Sequence, residues 1–318
     1  MAVDRATALT ILRTADGFLL GTGDWRLATD MKLHLIDGTY ELFRSYFGAP
    51  KRSAPDGMEV GAVHGIVGST LRLFEDGVTH VGAAFDTVIR SFRNDLYPGY
   101  KTEAGVPEEL LAQFPLAEEA LEAIGVTVWR MREFEADDAI ASAVARFGDA
   151  FEQVVMLSPD KDLAQCVDGE RVVGFDRRKG VFVDETGVVE KFGVLPESIP
   201  DYLGLVGDSA DGFPGVPGWG AKSASLVLAE YLHIEGIPLD ADGWTVDVRG
   251  KQRLVESLRD HMEDALLFRH LAVLRTDVPL EESPQDLEWQ GVPRQRFIEF
   301  CDRWGFGSIR ERPTVWVA

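Results

Sequence analysis

The sequence predicts an α/β fold, a mostly parallel sheet flanked by helices. Four short apolar runs, Lys32 to Ile36, Val81 to Phe85, Val126 to Trp129 and Gln153 to Leu157, have the length and composition of strands. Between them, Gly61 to Phe74, Pro107 to Ile124 and Asp137 to Phe147 repeat their apolar residues at helical spacing. Strands joined through helices lie parallel, and a parallel sheet is covered on both faces.

Residues 1–30 mix short apolar runs with Gly-Thr-Gly and Asp-Trp-Arg and keep no period, so a loosely held extension is expected there. Asp4 and Arg5 beside a weak apolar stretch make a poor secretory signal. Met31 opens the first strand, which ends at Asp37, and a helical stretch follows from Tyr40 to Phe47. The helix at Gly61 to Phe74 keeps one apolar face despite three glycines, and the second strand ends at Asp86. After the third strand comes Glu135-Ala136-Asp137-Asp138, three acids in four residues. Acids in a first turn favour the positive end of a helix by roughly 0.3 to 1 kcal/mol, so taken alone this tetrad reads as a charged helix start.

The fourth strand leads to Asp160 and Asp162, then a small hairpin is expected: Arg171 to Asp176, a turn at Arg177 to Gly180, and Val181 to Asp184. Asp201 to Lys222 is dense in Gly and Pro and marks a structured connector. Helices are expected at Ser223 to Leu232, Arg253 to Leu274 and Pro293 to Trp304.

Composition bounds the chemistry. At 318 residues and 45% hydrophobic the chain can bury a core as one large domain or two modest ones. Cys166 and Cys301 stand far apart in no C-x-x-C pattern, which points to a reducing, cytoplasmic setting. The six histidines have no zinc-hydrolase spacing. No run of about 18 apolar residues is present, so no membrane span is expected. A net charge of −21 argues at face value against nucleic acid. Net charge sums the whole surface, however, whereas binding depends on where charges sit and on any bound metal.

Topology then gathers the acids. In open α/β sheets the ligand crevice lies at the carboxyl ends of the strands, where Asp37, Asp86 and the Asp160/Asp162 pair fall. Glu135 and Asp138 are three apart and share a helix face. Asp208 and Asp211 in the connector complete a set of nine acids with Asp137.

Six stretches in this order resemble the 5′ nuclease family of flap endonucleases and the 5′-3′ exonuclease domain of bacterial DNA polymerase I. They are Leu-Ile-Asp-Gly-Thr (35–39), Ala-Phe-Asp (84–86), Phe-Arg-x-x-Leu-Tyr-Pro-x-Tyr-Lys (92–101), Glu-Ala-Asp-Asp (135–138), Asp-Lys-Asp-Leu (160–163) and Gly-Asp-x-x-Asp-x-x-Pro-Gly-Val-Pro-Gly (207–218). The resemblance spans roughly residues 31–312, with no polymerase segment after it. It implies a PIN-like catalytic domain over 31–203, a helix-hairpin-helix (H3TH) DNA-binding region over 204–285 and a C-terminal segment, 286–318, packing back on the body.

The resemblance also implies two or more divalent ions, Asp37, Asp86, Glu135, Asp137, Asp138 and Asp160 lying around one and Asp162, Asp208 and Asp211 around the other. Physical chemistry agrees. Two like charges about 4 Å apart repel by about 4 kcal/mol at an effective dielectric near 20, and a whole domain is stable by only ~5 to 15 kcal/mol. Such a cluster needs cations, and carboxylates without His or Cys suit Mg²⁺ or Mn²⁺. By the same resemblance Arg93 and Lys101 carry phosphate charge, and Tyr100, with Tyr97 beside it, stacks on a terminal base. Ordinary packing remains open for both tyrosines.

Gly215, Gly218, Gly220 and Lys222 resemble the turn that holds duplex phosphates, where relatives often keep a potassium ion. Two departures stand out. Ala104 replaces an Arg usual in relatives, so either Arg90 substitutes or catalysis is slower; Pro159 replaces a Gly and stiffens its loop.

The implied activity is a stand-alone, structure-selective nuclease, expected as a monomer acting on DNA with a 5′ end, flap or nick in replication and repair. A PIN-type ribonuclease would need neither the Gly215 to Lys222 turn nor the Arg93 to Lys101 segment. An aspartyl phosphatase would need Asp-x-Asp at the first strand end, and a non-catalytic DNA-binding relative would have lost some acids. Loss of Glu135 or Asp138 is expected to abolish cleavage and leave the fold intact.

Overall fold

Strands β1 (Lys32–Asp37), β2 (His80–Asp86), β3 (Thr127–Met131), β4 (Gln153–Leu157), β5 (Val172–Asp176) and β6 (Val181–Val183) form one sheet in the order β3-β2-β1-β4-β5-β6. All pairings are parallel except that of β6 with β5. The structure, a computed structural model, describes residues 31–318, so the expectation for 1–30 lies outside the described residues.

Side-chain alternation sets the layers. Leu33, Leu35, Val154 and Met156 enter one core, while Ile36, Val155 and Leu157 enter the other. Helices α1 (Gly38–Gly48) and α2 (Gly61–Glu75) cover the second face. After the short turns α3 (Arg93–Leu96) and α4 (Glu108–Leu111), α5 (Phe114–Ala123) joins them. The first core also takes in α6 (Ala136–Phe147), α7 (Glu185–Phe192), α8 (Ile199–Val206) and α11 (Met262–Ala272), with α9 (Ala221–Tyr231) packed on α8 and α10 (Lys251–Asp260) on α11. Helix α12 (Arg294–Trp304) returns to the second face through Phe297, Phe300 and Cys301. Near it the Trp289 ring stacks on Phe74 at 3.7 Å, and its indole N–H donates to the Ile124 carbonyl at 2.8 Å. Among the described residues, no helix is long and apolar enough to cross a membrane.

The structure differs from the periodicity reading at several places. The expected helix from Pro107 to Ile124 breaks around Gln113, which turns inward. Its amide donates to the Glu109 carbonyl at 3.1 Å and its oxygen accepts from the Val63 N–H at 3.2 Å. Pro115 has no N–H with which to continue the ladder. The stretch from Arg253 to Leu274 breaks at His261, which leaves helical geometry with ψ at 27°. Helix α7, opened by Asp184 accepting from the Gly187 N–H at 2.8 Å, was not expected, and α8 extends well into the supposed connector, which starts at Gly207.

From β1 the chain builds outward to β2 and β3, then returns to β4 on the other side of β1. The order reverses between β1 and β4, which places the crevice at their carboxyl ends. Two backbone approaches bring the α8–α9 connector to that edge. A Cβ on Gly212 would lie 2.3 Å from the Gly99 carbonyl oxygen, and the Lys101 N–H donates to the Asp211 carbonyl at 2.9 Å. Gly215, at φ +72°, backs onto Gly207, where an added Cβ would lie 2.4 Å from the Gly207 nitrogen. Overpacking costs about 1 to 3 kcal/mol, and the left-handed conformation adds on the order of 1 to 2 kcal/mol for an L side chain. Gly215→Ala should therefore lower unfolding stability by about 2 to 5 kcal/mol in a urea titration.

Candidate metal centre

Asp37 ends β1 and caps α1. One carboxylate oxygen accepts from the Tyr40 N–H at 2.8 Å, and the other accepts from the Ser158 hydroxyl at 2.8 Å. Asp86 ends β2, where its own N–H donates to the Thr39 hydroxyl at 2.8 Å and its carboxylate accepts from the Ala136 N–H at 2.8 Å. These contacts tie three strand ends and the α6 start together. Burial pushes Asp37 up to about 7, with Asp86 and Asp160 adding repulsion, and burial with Glu135 nearby also raises Asp86.

The tetrad after β3 splits into two kinds of acid. Asp138 is fully buried and faces Arg93, whose two Nη atoms each donate to one of its carboxylate oxygens at 2.7 Å. The Glu135 and Arg275 backbone N–H groups donate to the same carboxylate, each at 2.9 Å. With four donors satisfied, Asp138 presents no free edge to an ion. Arg93 is 1% exposed and also donates to the Leu271 and Val273 carbonyls at 2.8 and 3.0 Å. This placement corrects the reading of Arg93 as a substrate phosphate contact: its guanidinium clamps α6 to the end of α11.

Glu135 accepts from the Ser91 hydroxyl at 2.6 Å, from the Tyr100 hydroxyl at 3.3 Å and from the Lys101 ammonium at 2.6 Å, with Arg93 at 3.2 Å. Burial opposes its charge, but Lys101 and Arg93 outweigh that and hold the carboxyl below its usual range. Tyr100, assigned to base stacking from the sequence, is 2% exposed and spends its hydroxyl on Glu135. Tyr97 is half-buried, edge-on to Phe268 at 5.6 Å. Both rings pack inward. Asp137 has one buried carboxylate oxygen with no hydrogen-bond partner among the described residues, and burial with Asp160 and Asp37 nearby holds it well above the usual carboxylate range.

Beyond β4, the exposed Asp160 accepts from the Asp162 N–H at 3.2 Å. Asp162, Asp208 and Asp211 each offer a carboxylate oxygen, all within 4.8 Å of one another. One Asp162 oxygen is buried with no partner among the described residues, and burial first, then Asp160, Asp211 and Asp208, drive its carboxyl well up. Asp211 is raised to about 6 by burial with Glu135 and Asp208 near. Lys101 lies between Glu135 and Asp211, 3.5 Å from the latter; burial opposes its charge, but the two acids outweigh it. Lys161 pairs with Asp208 at 2.5 Å.

An oxygen-only donor set with buried, partnerless oxygens on Asp137 and Asp162 fits divalent cations. Lys161, Ser158, Ser91 and Thr39 were not singled out from the sequence. Lys161 stood in view between Asp160 and Asp162; the hydroxyls carry no signal distinguishing them from other Ser and Thr. At the connector, Gly215 is buried inside the turn, whereas Gly218, Gly220 and Lys222 are exposed.

Residues 32–193 match the 5′-3′ exonuclease N-terminal, resolvase-like domain, and residues 194–295 match the 5′-3′ exonuclease C-terminal SAM fold. DNA polymerase I of Bacillus subtilis is 36% identical over 288 residues, covering 88% of this chain and 32% of the relative. DNA polymerase I of Bacillus caldotenax is 34% identical over 287 residues, with the same coverage of 88% and 32%. The chain thus spans about a third of the length of the curated relatives it matches. Among solved structures, the T5 D15 protein co-crystallised with metal ions superposes with a TM-score of 0.63 at 20% identity, over 76% of this chain and 89% of that one. The catalytic core of Rad2 in complex with DNA substrate gives 0.57 at 13% identity, over 86% of each chain. These two likenesses establish the fold.

Two stability tests follow from the site. Breaking a buried pair costs about 3 to 5 kcal/mol, so Asp138→Ala should destabilise the protein by that order in a denaturant titration. This replaces the expectation that the fold would survive loss of Asp138 unchanged. For Asp37, a folded value of about 7 against an ordinary 3.8 means that the folded state binds the proton more tightly. Its contribution to stability therefore falls as pH rises from about 4 to about 7. In EDTA, Asp37→Asn should stabilise the protein by on the order of 4 kcal/mol at pH 8 and by little near pH 4, read by thermal melts.

Proposed function

Because the chain belongs to the 5′-3′ exonuclease family, we propose that it hydrolyses DNA phosphodiester bonds as a divalent-metal-dependent 5′-3′ exonuclease and flap endonuclease in replication and repair. The observation that carries this reading is the group of buried carboxylates at the sheet's switch point with partnerless oxygens on Asp137 and Asp162. Asp162, Asp208 and Asp211 would hold one ion. Asp37, Asp86, Asp137 and Asp160 would hold the other, with Glu135 bordering it through Lys101. Mg²⁺ or Mn²⁺ is the cation the donors favour. Ions bound there supply the charge neutralisation and water activation that phosphodiester hydrolysis needs.

The chain's own residues do the positioning. Lys101 carries its ammonium at the crevice, held by Glu135 and Asp211, where a non-bridging phosphate oxygen can accept from it. Arg93, with Asp138, fixes the α6 start from behind and so acts through Glu135. Exposed Gly218 and Lys222 offer a backbone N–H and a charge to a duplex phosphate, while the Gly220 N–H donates to the Ser223 hydroxyl at 3.0 Å and so shapes the turn; such contacts fix register without reading bases. The same turn is the proposed seat for K⁺. The substrate is DNA bearing a 5′ end, flap or nick, and the enzyme is proposed to work as a cytoplasmic monomer.

The test uses 5′-flap, nicked and single-stranded DNA, labelled separately at each end, with Mg²⁺, Mn²⁺ or EDTA. Cleavage should vanish in EDTA, and Asp162→Asn should slow it by more than about a hundredfold, beyond the ~10- to 100-fold cost of losing an outer-shell partner at a metal site. Equal cleavage in EDTA or by the variant overturns the two-metal reading. A preference for single-stranded RNA in a parallel lane would replace it with a ribonuclease.

A further inference from the structure

We propose that Arg249 and Arg253, at the start of α10, form a second phosphate clamp that extends the grip on duplex DNA beyond the Gly218 to Lys222 turn. The inference rests on the DNA reading above and adds residues that the motif does not contain.

Helix α10 is pinned to the turn at two points. The Trp219 indole N–H donates to the Leu254 carbonyl at 3.2 Å, and the Ser257 hydroxyl donates to the Pro217 carbonyl at 2.5 Å. A groove of about 440 Å³ remains between them, lined by Gly218 on one side and by Arg249, Arg253, Ser257 and Asp260 on the other. Arg249 and Arg253 are exposed, as is Lys222 at the start of α9. None of the three makes an ion pair among the described residues, whereas Arg130, Arg171, Arg269 and Arg312 all do.

The placement runs against helix stability. A first turn favours acids and repels cations, yet α10 has no acid in its first turn and carries Lys251 and Arg253 there. With 53 acids to 32 basic side chains, the chain had acids to spare for that position. An anion supplied from outside offsets the cost, and Arg249 and Arg253 line the groove opposite Pro217 and Gly218 of the turn. Of the acids on α10 that also border it, Glu256 accepts from the Gln252 amide at 2.9 Å and Asp260 lies about two turns beyond Arg253. Gly218 of the turn lines the same groove as Arg249 and Arg253, so a backbone leaving Gly218 meets the two arginines next. Contacts of this kind position the duplex and read no sequence.

The test measures binding by the full chain in an Asp162→Asn background with Mg²⁺, on flap DNA whose duplex arm is either two helical turns (about 20 bp) or less than one. Arg249→Gln with Arg253→Gln should weaken binding to the long arm on the order of tenfold near 0.1 M salt. It should also lower the slope of log K against log salt by about 1.8, from ~0.9 per phosphate contact. Binding to the short arm should change little, and Arg249→Lys with Arg253→Lys should keep the slope. Unchanged slope and affinity on the long arm overturn the clamp. Cleavage by the unmodified chain in the same buffer reads the parent proposal separately, since its absence would remove the nuclease reading without altering the binding slopes.

Discussion

Burying carboxylates beside one another is the constraint on which the rest of this structure depends. Asp37, Asp86, Glu135, Asp137, Asp162 and Asp208 come together at one sheet edge, and water no longer screens their repulsion. The fold meets the cost locally. Hydroxyls and backbone N–H groups stabilise Asp37 and Asp86, Lys101 and Arg93 stabilise Glu135, and Lys161 stabilises Asp208. What these donors leave uncompensated, chiefly on Asp137 and Asp162, is the demand for cations.

The acids consequently divide by how many donors each receives. Asp138 is saturated, and its pair with Arg93 acts as a brace: the guanidinium reaches from the loop after β2 to the start of α6 and on to the Leu271 and Val273 carbonyls beyond α11. Charge and hydrogen-bond capacity are used up in the fold. Asp162, Asp208 and Asp211 keep capacity in reserve, and Asp162 stands far in sequence from the Asp208/Asp211 pair, whose connector packs closely because glycine backbones at 207, 212 and 215 allow contact that a Cβ would prevent. Bracing residues set the geometry and open ones face the chemistry.

Charge distribution follows the same division. The large negative sum does not oppose a polyanion uniformly, because free cations occur at the connector turn and at the start of α10 while acids crowd the crevice. A phosphate backbone would be gripped by Lys222, Arg249 and Arg253 and would approach the acids only where Lys101 and bound ions offset them.

By itself the sequence determined the strand order along the chain, the strand-end position of Asp37 and Asp86, and the list of acids. Period-2 and helical patterns are local, and a carboxylate at a strand end is visible in one dimension. The breaks at Gln113 and His261 were not legible, because a polar side chain turning inward for Glu109 and Val63, or a helix changing direction, leaves the apolar period intact. Nor could residue type tell Asp138 from Asp137, or assign Arg93 and Tyr100 inward. Those roles depend on which hydrogen-bond partners arrive from residues more than a hundred positions away, such as the Arg275 N–H that donates to Asp138 and the Leu271 carbonyl that accepts from Arg93. Only the tertiary structure decides that, since an acid's fate is set by the partners that folding brings to it.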